Sequence, residues 1–274
     1  MSDPLDRIAA ALERLAPPPP PVPDLAAHPA YVWHRKNGGG GFLQSARAFA
    51  PLPLDELVGI DAQKATLLEN VRRLANGLPA HDVLLWGARG TGKSALSKAA
   101  VAAVQAEGGA VALIEAQADA LDTLPQLFAL MAASPRAFVI FLDDLGFDAA
   151  SDGRALRSLL EGGAEARPAN ARLFVTSNRR HLIPRNLEEQ SSAINPRDSI
   201  DDNLALADRF GLSLGFHAID QDTYVAIVRT YAQDHGLPFD PAEAVNWATR
   251  RGSRSGRVAW QYVVDLAGRS GKRL

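Results

Sequence analysis

The segment Gly87-Ala88-Arg89-Gly90-Thr91-Gly92-Lys93-Ser94 restricts this chain more than any other, because it satisfies the G-x-x-x-x-G-K-[ST] phosphate-loop pattern. Val83–Trp86 before it reads as a short buried strand, and Ala95–Val101 after it as a helix rich in good helix formers. Strand, glycine loop and helix form the context the motif requires. The glycines let successive N–H groups turn inward on a polyphosphate, and the helix N-terminus adds partial positive charge. Lys93 is placed to reach the β and γ phosphates, and the Ser94 hydroxyl to hold Mg²⁺. The expected ligand is a nucleotide.

Around this loop, strand-like apolar runs alternate with helical stretches from about residue 48 to 216. That alternation implies an α/β domain with a parallel sheet covered on both faces. The other expected strands are Ala110–Ile114, Ala137–Leu142, Leu173–Thr176 and Leu212–Phe216. Residues 217–274 lose the strand signal and read as three helices, over 220–233, 240–250 and 256–267, making a small all-helical lid. Residues 1–47 form an N-terminal extension in this reading. Leu5, Ile8, Leu12 and Leu15 share one helical face, and a proline run from Pro17 makes an extended spacer. The helix either docks a partner or folds back on the body. Tyr31–Asn37 and the four following glycines read as an apolar strand ending in a loose turn, in preference to a base-stacking segment.

Two strand ends carry further chemistry. Phe138-Val139-Ile140-Phe141-Leu142-Asp143-Asp144 is apolar until it delivers two carboxylates at its tip, where open α/β sheets bind ligands. Asp143 is expected on the Mg²⁺ side, and Asp144 as the group that orients or deprotonates the attacking water. Asn178, after Leu173–Ser177, can hydrogen-bond both that water and a γ-phosphate. The chain has no cysteine, which removes disulfides and thiolate chemistry and fits a reducing cytoplasm. Its six histidines are scattered. A formal charge of −2 gives no global electrostatic case for nucleic acid, and no stretch is long enough to span a membrane.

Together these residues resemble the AAA+ ATPases from about residue 52 onward, and within them a bacterial group of ATP-binding proteins related to replication-initiator and helicase-loader ATPases. The resemblance makes Gly87–Ser94 the Walker A motif, Phe138–Asp144 Walker B and Asn178 sensor 1. It places adenine against the Leu54–Asp61 segment, at Val58, Gly59 and Ile60, and includes Leu96 among the nucleotide contacts. Arg209, in Leu206–Gly211, resembles an arginine finger that completes a neighbour's site, which implies a homo-oligomer with shared active sites. Arg185 and Arg197 are weaker finger candidates. Sensor 2 falls on Arg254, by the Gly-x-Arg pattern, or on Arg257, by the helical register of Val258, Tyr262 and Val263. One departure is Asp144, where many motor members carry Glu. The implied activity is hydrolysis of ATP with Mg²⁺, coupled to remodelling of an unidentified protein client, with Arg179–His181 and the insert from Leu182 to Asn203 facing it. The alternative is a DNA-associated loader-like switch in which ATP gates nucleic-acid binding.

Overall fold

A computed structural model describes residues 3–15, 21–36, 38–145, 150–162, 167–178 and 207–274. The insert 182–203, Arg179–His181, Arg185, Arg197, Asn37 and most of the proline run lie outside the described residues.

Strand β3 (Val83–Gly87) leads into the glycine loop and then helix α3 (Lys93–Ala106). It lies between β6 (Ala171–Ser177) and β7 (Leu212–Phe216), parallel to both. Beyond β6 follow β5 (Ala137–Leu142) and β4 (Val111–Ala116), again parallel. Phe138, Ile140 and Leu142 of β5 enter the core on one face of the sheet, and Val139 and Phe141 the core on the other. Burial on both faces is why this strand is apolar throughout, without the alternation of a half-exposed strand. Helices α2 (Asp61–Ala75) and α3 supply one layer, through Leu67, Val71, Leu96 and Val101. The opposite layer includes α4 (Leu124–Ala132) and α5 (Ala150–Glu161), through Leu127, Met131, Leu156 and Leu159.

The sheet is wider than the sequence suggests. Strands β1 (Ala30–Arg35) and β2 (Gly41–Ser45) form an antiparallel hairpin, and β1 pairs in parallel with β4, giving the order β2-β1-β4-β5-β6-β3-β7. Residues 30–45, expected in an extension ending at 47, are therefore part of the α/β unit. Trp33 is buried in its core, and its indole donates to Thr123 Oγ1 at 2.8 Å. The glycine run, expected as a loose turn after an apolar strand, makes the hairpin turn, with Gly38, Gly39 and Gly40 all at positive φ. Helix α1 (Pro4–Leu15) leaves Leu5, Ile8 and Leu12 exposed.

After β7 come α6 (Gln221–Asp234), α7 (Pro241–Arg250) and α8 (Gly256–Arg269). Each starts at a side-chain cap, with Asp220, Asp240 and Ser255 accepting from Thr223, Ala242 and Val258 N–H. Tyr224, Val228, Ala244, Ala259, Tyr262 and Val263 form a separate helical core, against which Val58 packs. Burial raises the Tyr224 and Tyr262 hydroxyls to a pKa of about 12, so both stay neutral. No helix among the described residues is long and apolar enough to cross a membrane.

Candidate nucleotide site

A cleft of about 850 Å³ opens between the carboxyl ends of the parallel strands and the helical lid. Its floor is the glycine loop. Gly87 cannot carry a side chain, because a Cβ there would fall 2.0 Å from the Phe216 carbonyl oxygen on β7, and Ala88 N–H donates to that same oxygen at 3.1 Å. The loop is thus tied to the end of the neighbouring strand. Its other contact is with the lid, where Gly256 N–H donates to Gly90 O at 2.9 Å. A Cβ at Gly90 would sit 2.6 Å from Ser255 Cβ, and the residue has a φ of +73°. Glycine is required there by both space and conformation.

Lys93, 5% exposed, begins α3 directly after the loop. Its ammonium donates to the carbonyls of Gly87 (3.0 Å) and Ala88 (2.7 Å) and to Asn178 Oδ1 (3.1 Å). Burial, the largest influence, holds its pKa below the usual lysine range; Asp144 and Asp143 oppose the shift, and Arg89 adds to it. The two strand-tip carboxylates are separately engaged. Asp143 Oδ1 accepts from Ser94 Oγ and from Thr176 Oγ1, each at 2.6 Å. Asp144 takes a left-handed backbone with φ of 51°, a conformation that Asp tolerates better than most residues, and its N–H donates to Thr176 Oγ1 at 2.8 Å. Its carboxylate accepts from Asn178 Nδ2 and lies 3.8 Å from the Arg89 guanidinium.

The fold therefore gathers Lys93, Ser94, Asp143, Asp144 and Asn178 into one hydrogen-bonded group. Arg89, Gly90, Thr91 and Gly92 line the same cleft, as do Val58, Gly59, Ile60 and Arg257. Other expected contacts are placed differently. Leu96 is fully buried in the core between α3 and the sheet, one turn too deep to face the cleft. Gly87 and Ala88 turn their carbonyls to Lys93 and are not in the lining. Arg254 is exposed on the loop before α8, also outside the lining. Arg209 lies outside the cleft and is ion-paired with Glu161 at the end of α5, donating from Nε to Oε1 at 2.7 Å.

Thr176 is the participant that sequence reasoning passes over: one hydroxyl orders both acids, although in the sequence it is only one more β-branched residue in a strand. An aromatic part of the lining is also unanticipated. Tyr231, His235 and Trp260 line the cleft beside Leu52 and beside Glu56 of the segment expected against the adenine, with Trp260 edge-on to Tyr231 at 5.6 Å between ring centres. Trp260 follows Arg257 by three residues on α8, so the two share a helical face, and that spacing is the signal that could have found it. Burial, followed by Asp234 and Asp55, raises the Glu56 pKa.

The donor chemistry suits a hard, partly hydrated cation. Ser94 and Asp143 offer adjacent oxygens on the solvent side of the loop, while no group of three or more His, Cys, Asp or Glu among the described residues could cage a metal. Mg²⁺ is typically held in this way, by one or two protein oxygens, waters and substrate phosphates.

Residues 26–270 match the model of a family described as "Protein of unknown function (DUF815)". No curated protein is similar enough to match. Among solved structures, a variant of Thermotoga maritima RuvB is similar at 19% identity and a TM-score of 0.54, over 81% of this chain and 67% of that one. Aeropyrum pernix ORC1, in a complex with DNA, is similar at 17% identity and 0.55, over 78% of this chain and 61% of that one, less than two thirds of its length. The FIGL-1 AAA domain in complex with ADP is similar at 15% identity and 0.51, over 81% and 75%. At these identities the likeness is one of fold, and the fold is that of the AAA+ P-loop ATPases.

Proposed function

The chain belongs to the DUF815 family, and from that premise we propose that it binds and hydrolyses ATP in the cleft between sheet and lid, using nucleotide state to set how the two meet. The observation that carries this reading is the joining of Lys93, Asn178 and Asp144, and of Ser94, Thr176 and Asp143, at the mouth of a glycine loop that also bonds to the lid.

The loop N–H groups and the N-terminus of α3 bind the phosphates, and Lys93 neutralises the β and γ groups. Ser94 and Asp143 would hold Mg²⁺, which when bound supplies charge neutralisation on the phosphate oxygens. Asp144 accepts a proton from the attacking water, and Asn178 orients that water while touching the γ-phosphate through its other amide atom. Val58, Gly59 and Ile60 flank the adenine. Arg257, on the cleft-facing side of α8, takes the sensor 2 role in preference to Arg254, and Leu96 is not a nucleotide contact.

Arg209 lies away from its own cleft, and we assign it to the site of a second copy in a head-to-tail assembly, where it would exchange Glu161 for a neighbour's phosphate. A client protein is moved by the change in lid angle. DNA is the weaker reading: RuvB and ORC1 lend their fold at under 20% identity, not their partners, and the formal charge here is −2. A steep fall of DNA affinity with salt would favour it.

Equilibrium binding of ATP and ADP to wild type and Lys93→Ala tests the core of the proposal. The variant should lose at least about two orders of magnitude in ATP affinity, as expected for deleting a buried cation beside the phosphates; equal affinities would reject the site. For assembly, Arg209→Ala should hydrolyse poorly and Asp144→Asn should not turn over, and a mixture of the two should hydrolyse faster than either alone. No recovery would reject the shared site.

A further inference from the structure

Arg89 stands at the apex of the glycine loop with an 81% exposed side chain, yet its guanidinium is directed across the cleft mouth to Asp144, 3.8 Å away. Asp144 accepts from Asn178, Asn178 accepts from Lys93, and Lys93 returns to the loop that carries Arg89. These four residues close a ring through the loop backbone at Ala88. The loop that would wrap the phosphates and the acid that would take the water's proton are opposite sides of it, so Arg89 spans the space where the two must meet.

We propose that Arg89 is a catalytic arginine supplied by the chain's own phosphate loop, held by Asp144 before ATP binds and transferred to the γ-phosphate when it does. The inference rests on the ATPase reading above. The exchange is favourable because the initial pair is weak. At 3.8 Å, with side-chain exposures of 81% and 54%, it is a screened surface contact without hydrogen bonding. Against phosphate the same planar fork makes short, charge-assisted hydrogen bonds. Departure of Arg89 also frees that side of the Asp144 carboxylate to receive the water. In the step itself, the water oxygen bonds to the γ-phosphorus as the bond to the β–γ bridging oxygen breaks. ADP leaves with that electron pair, and the water's proton passes to Asp144 and then to solvent. Arg89 neutralises charge on the equatorial oxygens. Arg209, engaged by Glu161 outside the cleft, does not do this for its own chain. A single subunit therefore carries a complete, slow site, and a finger from a neighbour adds to it.

The test is calorimetric titration of a non-hydrolysable ATP analogue and of ADP into full-length wild type, Arg89→Ala, Asp144→Asn and the double variant. Arg89→Ala should weaken the analogue about tenfold or more, the scale of one charge-assisted phosphate contact, and leave ADP within about twofold. Asp144→Asn should tighten the analogue more with Arg89 present than with Arg89 absent, because only then does it release a bound arginine. In single-turnover hydrolysis, at dilutions where the protein is monomeric, Arg89→Ala should be slowed and Arg89→Lys should not restore it. Equal losses for both nucleotides would mean a distorted loop and overturn the inference, as would unchanged discrimination or an additive double variant. If wild type binds neither nucleotide and Lys93→Ala is indistinguishable from it, the ATPase reading falls first, and this inference with it.

Discussion

The two walls of the cleft are built in opposite ways. On the sheet side the polar side chains are engaged with one another before any ligand arrives: Thr176 orders both acids, Ser94 bonds to Asp143, and Asn178 joins Asp144 to Lys93. On the lid side the contact with the loop is a backbone hydrogen bond, Gly256 to Gly90, beside the close packing of Ser255, while Arg257 and Trp260 are exposed toward the cleft. A preorganised wall costs little reorganisation at the moment of reaction and suits chemistry. A wall that meets the phosphate loop through one backbone hydrogen bond and the packing of Ser255 suits sensing, because its contact with the loop can change without breaking any bond to the acids.

The comparison is broken most severely at Thr176. Thr176→Val keeps the volume but removes the hydroxyl that accepts from Asp144 N–H and donates to Asp143. It should lower turnover by on the order of tenfold or more, with a stability loss of about 1–3 kcal/mol for the orphaned groups. Urea unfolding and initial rates would read both, and an unchanged rate would mean the sheet wall is not organised as described. Next comes Gly90→Ala, which places a Cβ 2.6 Å from Ser255 in a left-handed conformation. A cost of about 1–3 kcal/mol is expected, concentrated on lid docking and visible as raised amide exchange in α8 with the sheet unaffected. Arg257→Ala should weaken ATP by about tenfold, the worth of one partly exposed charged contact, whereas Arg254→Ala should not. The reverse order would move the lid's sensor to the preceding loop.

The smallest effect is one of pH. Because burial lowers the Lys93 pKa, the folded protein without nucleotide gives up this proton at lower pH than the unfolded chain does. Across that alkaline window stability from this group rises with pH. ATP affinity should fall across the same window, since the phosphates need the ammonium. The two slopes have opposite signs, and Lys93→Ala should flatten both.

Much of the sheet wall is legible in the sequence. Parallel strands buried on both faces are apolar end to end, so a polar residue at the tip, as in Phe138–Asp144 or Leu173–Asn178, marks the position where a ligand can be met. What is not legible depends on partners distant in sequence. The Arg89–Asp144 approach, the Arg209–Glu161 pair and the bridging role of Thr176 all arise only when separate strands, helices and loops come together. The strand Tyr31–Asn37 and its glycine turn are legible, but the return strand β2 and the pairing of β1 with β4 are not. A run of glycines has the positive-φ capacity of a turn whether or not a paired strand follows it, and only the pairing separates the two. Leu96, which the resemblance puts among the nucleotide contacts, is buried in the core between α3 and the sheet.

The most direct test of the ATPase reading is γ-phosphate release under single-turnover conditions, set beside ATP affinity, for wild type and Asp144→Asn. The predicted result is an affinity equal to wild type or tighter, with release slowed by at least about a hundredfold, as for loss of a general base. Release at the wild-type rate would contradict the assignment of Asp144, and with it the division of the cleft into a catalytic sheet wall and a sensing lid.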